Sequence, residues 1–132
     1  NRIEETLMEV SSAQEPFVME LKGAGAFPNL NYIRVLWIGI DKGSNEIRQL
    51  MARIDSKLAG LGFSKEREYV PHVTIGRVKA IMRRGELAQA IRSLQELSFG
   101  SAEVKSIALM KSTLTSKGPI YNILKELPLG GN

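Results

Sequence analysis

The 132-residue sequence has no cysteine and a single histidine, His72. The missing thiols exclude disulfides, thiolate metal sites and cysteine nucleophiles. One imidazole among scattered carboxylates offers no ligand cluster, so no metal is expected, and no motif calls for another cofactor. Aromatic residues make up only 6%, with one tryptophan, Trp37. The longest apolar run, residues 33–40, is interrupted by Arg34 and is far too short to span a bilayer. No membrane association and a cytoplasmic location are therefore the expectation. No linker, low-complexity tract or internal repeat interrupts the chain.

What is present is ordinary for a globular protein: 43% apolar residues and 24% charged. The length suits one domain with a core that needs no covalent staples. The net charge of +4 is mild and supports nucleic-acid binding only weakly by itself. Arg77, Lys79, Arg83 and Arg84 follow the histidine closely, and Lys111 and Lys117 come later. They read either as a solvated basic surface or, where they converge on His72, as an attractor of phosphate oxygens.

Periodicity outlines an α+β fold, an antiparallel sheet with helices packed on its outer faces. Ile3, Leu7 and Val10 recur at helical spacing, with Glu4 and Glu5 placed to favour the helix start. Residues 16–22 alternate as a strand, 27–29 read as a loop, and 32–40 as an apolar central strand. A turn over 41–44 makes Ser44 the expected N-cap of a helix striped by Ile47, Leu50, Met51, Ile54 and Leu58. Gly60 and Gly62 stop that helix. A strand over 69–78 follows, then a helix over 84–97 burying Leu87, Ile91 and Leu94. Residues 99–111 read as one strand, 117–119 as a turn, 120–127 as a closing strand, and 129–132 as a fraying end.

The strand over 69–78 carries the chemistry. In Pro71-His72-Val73-Thr74-Ile75-Gly76-Arg77, side chains two apart share a face. His72 and Thr74 project together, Gly76 follows on their side, and Val73 and Ile75 turn toward a core. Strict alternation sends Arg77 with Val73 and Ile75, so it is either a phosphate donor or a structural ion-pair partner. A lone strand histidine is either a proton-transfer group or a polar side chain with a satisfied hydrogen bond. Thr74 is likewise either an oxyanion binder or a β-branched residue suited to strands. An imidazole beside a hydroxyl and a guanidinium suits chemistry at phosphorus.

Longer context resembles a known family. Pro71 to Arg77 resembles the second His-x-Thr motif of the 2′-5′ RNA ligase family, the RNA 2′,3′-cyclic phosphodiesterases, within the two-histidine phosphoesterase superfamily. Gly23-Ala24-Gly25-Ala26-Phe27-Pro28-Asn29 running into Tyr32-Ile33-Arg34-Val35-Leu36-Trp37 is similar to archaeal and bacterial members. So are Leu58-Ala59-Gly60-Leu61-Gly62-Phe63 and Lys111-Ser112-Thr113-Leu114-Thr115-Ser116-Lys117-Gly118-Pro119-Ile120-Tyr121. The resemblance implies a two-lobed phosphoesterase fold, metal-independent, with His72 as the proton acceptor and Thr74 on a phosphate oxygen. The family uses two His-x-Thr motifs and this sequence holds one. Residues 1–132 are thus expected to be a single phosphoesterase domain lacking an upstream segment that carries the first motif.

The implied activity is hydrolysis of 2′,3′-cyclic phosphates at RNA ends, tRNA halves among them, or the joining of such an end to a 5′-hydroxyl in a 2′-5′ linkage. Two acid–base groups are needed because one residue cannot stand on both sides of an in-line displacement, and imidazole exchanges protons near neutral pH. Substrate contacts fall to Arg77, Arg34, Tyr121, Ser112, Thr113 and Trp37. Tyr121 and Trp37 are candidates to stack on a base, as proteins hold single-stranded RNA. The apolar neighbours of Trp37 favour the core instead. Arg34, on an apolar strand, needs a phosphate or a carboxylate. Ser112 and Thr113 line a cleft or satisfy a strand edge. Gly23 and Gly25 are no dinucleotide fingerprint, since no helical pattern follows them. Two other readings stand beside the enzyme: a non-catalytic RNA-end binding module, and a phosphodiesterase for small cyclic nucleotides. A monomer is expected, with a dimer sharing histidines as the alternative.

Overall fold

Nine elements follow one another along the chain: α1 (Arg2–Ser12), β1 (Phe17–Asn29), β2 (Tyr32–Ile40), α2 (Ser44–Ala59), β3 (His72–Arg77), α3 (Arg84–Ser93), β4 (Ser98–Val104), β5 (Ser106–Thr115) and β6 (Gly118–Pro128). This computed structural model describes residues 1–65, 68–79 and 83–130. The chain divides into two compact units. One comprises Val18–Arg48 and Val70–Glu103, and the other comprises Asn1–Phe17, Gln49–Tyr69 and Val104–Asn132.

The first of these units is built on a four-stranded sheet of order β3-β2-β1-β4. β2 is antiparallel to both β1 and β3. Ala24, Ala26 and Ile33 of the two central strands are buried with Ala88 and Ile91 of α3, and Leu36, Ile38, Leu87 and Leu94 pack around them. Small alanines on β1 leave room for the larger side chains of the helix. Each fully buried Leu or Ile contributes about 1.5–3 kcal/mol.

Three β-bulges re-aim side chains in this sheet. The pairing skips a residue of β1 between Leu21 and Ala24, where Gly23 takes φ +76, a backbone region that favours glycine. It skips Arg34 on β2, because Pro28 faces Ile33 while Phe27 faces Val35. It skips Ile75 on β3, because Trp37 faces Thr74 while Leu36 faces Gly76.

In the second unit, β5 and β6 form an antiparallel hairpin, and α1 lies against it. Leu7, Val10, Leu50, Leu127 and Leu129 are buried there. The Asn1 side chain caps α1 by accepting from the Ile3 and Glu4 amides.

Several expectations are corrected. Residues 27–29 are not a free loop: β1 runs through them, its Phe27–Pro28 peptide is cis, and Asn29 Oδ1 accepts from the Asn31 and Tyr32 amides to make the turn. Ser44 is the first helical residue rather than the cap, since the Gly43 carbonyl accepts the Ile47 amide. α3 stops at Ser93, where tighter backbone bonds replace the helical pattern through Leu97. Residues 99–111 are two strands in different sheets, broken at Lys105. Leu129 does not fray, because its amide bonds the Lys105 carbonyl and Gly130 bonds Ser11; residues 131–132 lie outside the described residues. Val73 and Ile75 are not core residues, being 39% and 61% exposed. β3 is an edge strand, and the buried cluster of α3 lies over β1 and β2 instead.

Candidate active site

Pro71 is buried and anchors the chain where it enters β3, so His72 stands exposed at the strand's first position. Its Nδ1 lies 2.6 Å from the Val70 carbonyl oxygen. A carbonyl only accepts, so Nδ1 carries the proton and donates it, which leaves the Nε2 lone pair unprotonated in the neutral ring. That tautomer is the one a proton acceptor requires.

The register fixes what shares the histidine's face. His72 is opposite Gly39, Thr74 opposite Trp37, and Arg77 opposite Val35. Gly39, Trp37 and Val35 alternate along β2, so their partners all stand on one side of the sheet. The bulge at Ile75 therefore brings Arg77 to the side of His72 and Thr74, correcting the direction that strict alternation assigns. The same bulge sends Gly76, paired with the core-facing Leu36, to the other side. His72, Thr74 and Arg77 are all exposed, and among the described residues Arg77 pairs with no carboxylate.

Behind this row lies an aromatic cluster. Trp37 is half-buried and alternates along β2 with the core-facing Leu36 and Ile38, so it is not among the residues of the α3 core cluster. Its ring lies across Gly25, where any Cβ would run into it. Phe27, two residues from Gly25 on the same face of β1, has its ring centroid 5.2 Å from that of Trp37 and 4.9 Å from that of His72. The sequence reading missed Phe27 because it assigned the residue to a loop. A glycine and an aromatic two apart, facing a strand with a tryptophan, were the available signal.

The other candidates are placed as follows. Arg34, at the β2 bulge, is exposed, and its guanidinium lies over the Tyr32 ring at 5.3 Å from the centroid. Exposed and over an aromatic face, it is freed from the need for a charged partner that burial would impose. On the hairpin of the second unit, Ser112 pairs with Tyr121 and Thr113 with Ile120. Ser112 and Tyr121 therefore share one face while Thr113 takes the other, and all three are exposed. Of the basic group, Lys79 is exposed, Arg83 pairs with Glu86 at 3.6 Å, and the Arg84 side chain lies outside the described residues. Among the described residues, no three His, Asp or Glu side chains gather to hold a metal ion, and no helix is long and apolar enough to cross a membrane.

An antiparallel α+β fold with a His-x-Thr pair on a sheet edge is what the resemblance to the two-histidine phosphoesterases implies. Comparison with known proteins specifies which kind. The model of the LigT-like phosphoesterases matches residues 38–121. The RNA 2′,3′-cyclic phosphodiesterase of Methanocaldococcus jannaschii is 48% identical over 126 residues, covering 93% of this chain and 72% of that protein. A crystal structure of a Thermus thermophilus protein superposes with a TM-score of 0.73 at 26% identity, over 98% of this chain and 69% of that one. Escherichia coli LigT complexed with 3′-AMP superposes at 0.66 with 25% identity, over 96% of this chain and 68% of that one. The chain belongs to the LigT-like phosphoesterase family.

Proposed function

We propose that the protein hydrolyses 2′,3′-cyclic phosphates at RNA ends to 2′-phosphates, with His72 as proton acceptor. The observation that carries this reading is the Nδ1 bond to the Val70 carbonyl at an exposed strand end, which leaves the Nε2 lone pair of the neutral ring free to accept a proton. Nε2 takes a proton from water as the water oxygen bonds to phosphorus. The bond from phosphorus to the 3′ oxygen breaks, and that oxygen receives a proton from a donor opposite His72. Thr74 donates a hydrogen bond to a non-bridging oxygen, and Arg77 adds a charged donor beside it. The activity borne in the name of the Methanocaldococcus relative supports the substrate, as does the complex of Escherichia coli LigT with 3′-AMP.

The leaving-group donor is no second histidine of these 132 residues. We assign it to a first His-x-Thr motif carried elsewhere on the polypeptide, or to the His72 of another copy. Among RNA ends of this kind, tRNA halves are the substrates we favour. With a 5′-hydroxyl attacking phosphorus in place of water, and the bond to the 3′ oxygen again breaking, the same groups would join two ends by a 2′-5′ linkage.

The test uses a dinucleotide ending in a 2′,3′-cyclic phosphate, with and without chelator, and this chain beside a version extended upstream. The expected result is chelator-resistant release of the 2′-phosphate, abolished by His72→Ala. A rate that climbs with the square of protein concentration identifies a donor lent by another copy. Turnover undiminished in His72→Ala would refute the assignment, and tight binding without turnover in every version would make the protein an RNA-end binding module.

A further inference from the structure

Catalysis by His72 needs the imidazole to hold one tautomer and one direction, yet the residue is exposed at the end of an edge strand. A single hydrogen bond at Nδ1 fixes a distance but not the plane of the ring, which can still pivot about it. The remaining restraint comes from two side chains that the phosphate chemistry does not use. Phe27 meets the His72 ring edge-to-face, centroids 4.9 Å apart and planes at 89°, the arrangement that aromatic quadrupoles favour. Trp37 lies 6.1 Å from His72 and 5.2 Å from Phe27, both at tilted angles.

The three rings come from β3, β1 and β2 and stand on one face because the register places them there. Their seat is shaped by glycine. Gly25 leaves the space in which the Trp37 ring lies, and at Gly39, opposite His72, a Cβ would approach the Lys22 carbonyl to 2.9 Å and the Trp37 ring to 3.4 Å. Trp37 Nε1 is buried and has no hydrogen-bond partner among the described residues. Packing over Gly25 and against Phe27 holds the indole there, which suits a part that supports another ring.

We propose that Phe27 and Trp37 are positioning residues, which hold the His72 imidazole in the plane where Nδ1 donates to Val70 and Nε2 faces the phosphate. The catalytic consequence rests on the function proposed above, whereas the restraint on the ring does not. Since His72 is the sole histidine, its ring nitrogens give an unambiguous signal in a long-range proton–nitrogen correlation spectrum of the labelled chain.

In the wild type the neutral ring is expected to be the Nδ1-protonated tautomer, with cross-relaxation between its carbon-bound protons and those of Phe27. Phe27→Leu and Trp37→Leu are expected to average the tautomers, and Phe27→Tyr to restore the wild-type signal. In enzyme extended to full activity, the two leucine variants should lower kcat about 10- to 100-fold, the scale of a misplaced reacting group. KM should stay nearly unchanged, because uniform binding is not lost. A folded Phe27→Leu protein that keeps one tautomer and its kcat would overturn the proposal. Should a variant fail to fold, the wild-type spectrum decides: a tautomer average, or no contact with Phe27, overturns it. A fixed ring in a protein that hydrolyses no cyclic phosphate refutes the proposed activity while upholding the positioning.

Discussion

Thr74 is the residue whose contribution separates most cleanly from the fold. It is exposed, and its partner across the sheet is Trp37. Thr74→Val keeps the β-branched shape that suits a strand and removes only the hydroxyl. A hydrogen bond to a charged oxygen is worth about 1.5–3 kcal/mol, so kcat/KM should fall on the order of 10- to 100-fold. Thermal unfolding should move little, because no buried group loses a partner. An unchanged kcat/KM would return Thr74 to the role of a strand former. The His72 and Thr74 pairing was legible from their spacing alone, since residues two apart on a strand share a face. Arg77 and Gly76 were not, because a bulge is set by how β3 pairs with β2, and alternation within one segment holds no record of its neighbour.

The elements themselves divide in the same way. Helix α2 was readable because its signals are local, although its start was misplaced by one residue at Ser44. Its stop also shows which of two glycines matters. The Phe63 amide reaches the Leu58 carbonyl and the Gly62 amide the Ala59 carbonyl, a Schellman closure that puts Gly62 at φ +100. Gly60 is not in that region and a Cβ there meets only the Lys57 carbonyl, at 3.3 Å. Gly62→Ala should therefore cost about 1 kcal/mol in urea unfolding, whereas Gly60→Ala should be close to neutral. Equal losses would mean that the closure does not depend on the left-handed residue. The break at Lys105 was not readable, because β4 and β5 both alternate and only tertiary pairing assigns them to different sheets. The extent of β1 was hidden by Pro28, which reads as a loop signal but here closes a strand.

For the molecule as a whole, the distribution of charge decides how RNA would be held. The sequence carries 18 basic and 14 acidic residues. Several cations are already engaged: Lys22 with Asp41 and Glu96, Lys57 with Glu9, and Arg83 with Glu86. Arg77 pairs with no carboxylate among the described residues and stands on the same side of the sheet as His72 and Thr74, so phosphate binding should be focused on one terminal group. Binding of single strands weakens with salt as a power of about 0.7 for each phosphate neutralised. One or two phosphates then imply that raising salt from about 50 to about 200 mM weakens binding only roughly three- to sevenfold. The measurement is the affinity of the His72→Ala protein for an oligonucleotide ending in a 2′,3′-cyclic phosphate, taken across that range of salt. Lengthening the strand should change neither the affinity nor its salt dependence by much. A loss of about a hundredfold, growing with strand length, would instead require a basic track engaging phosphates along the chain, and recognition would then be of the strand rather than of its end.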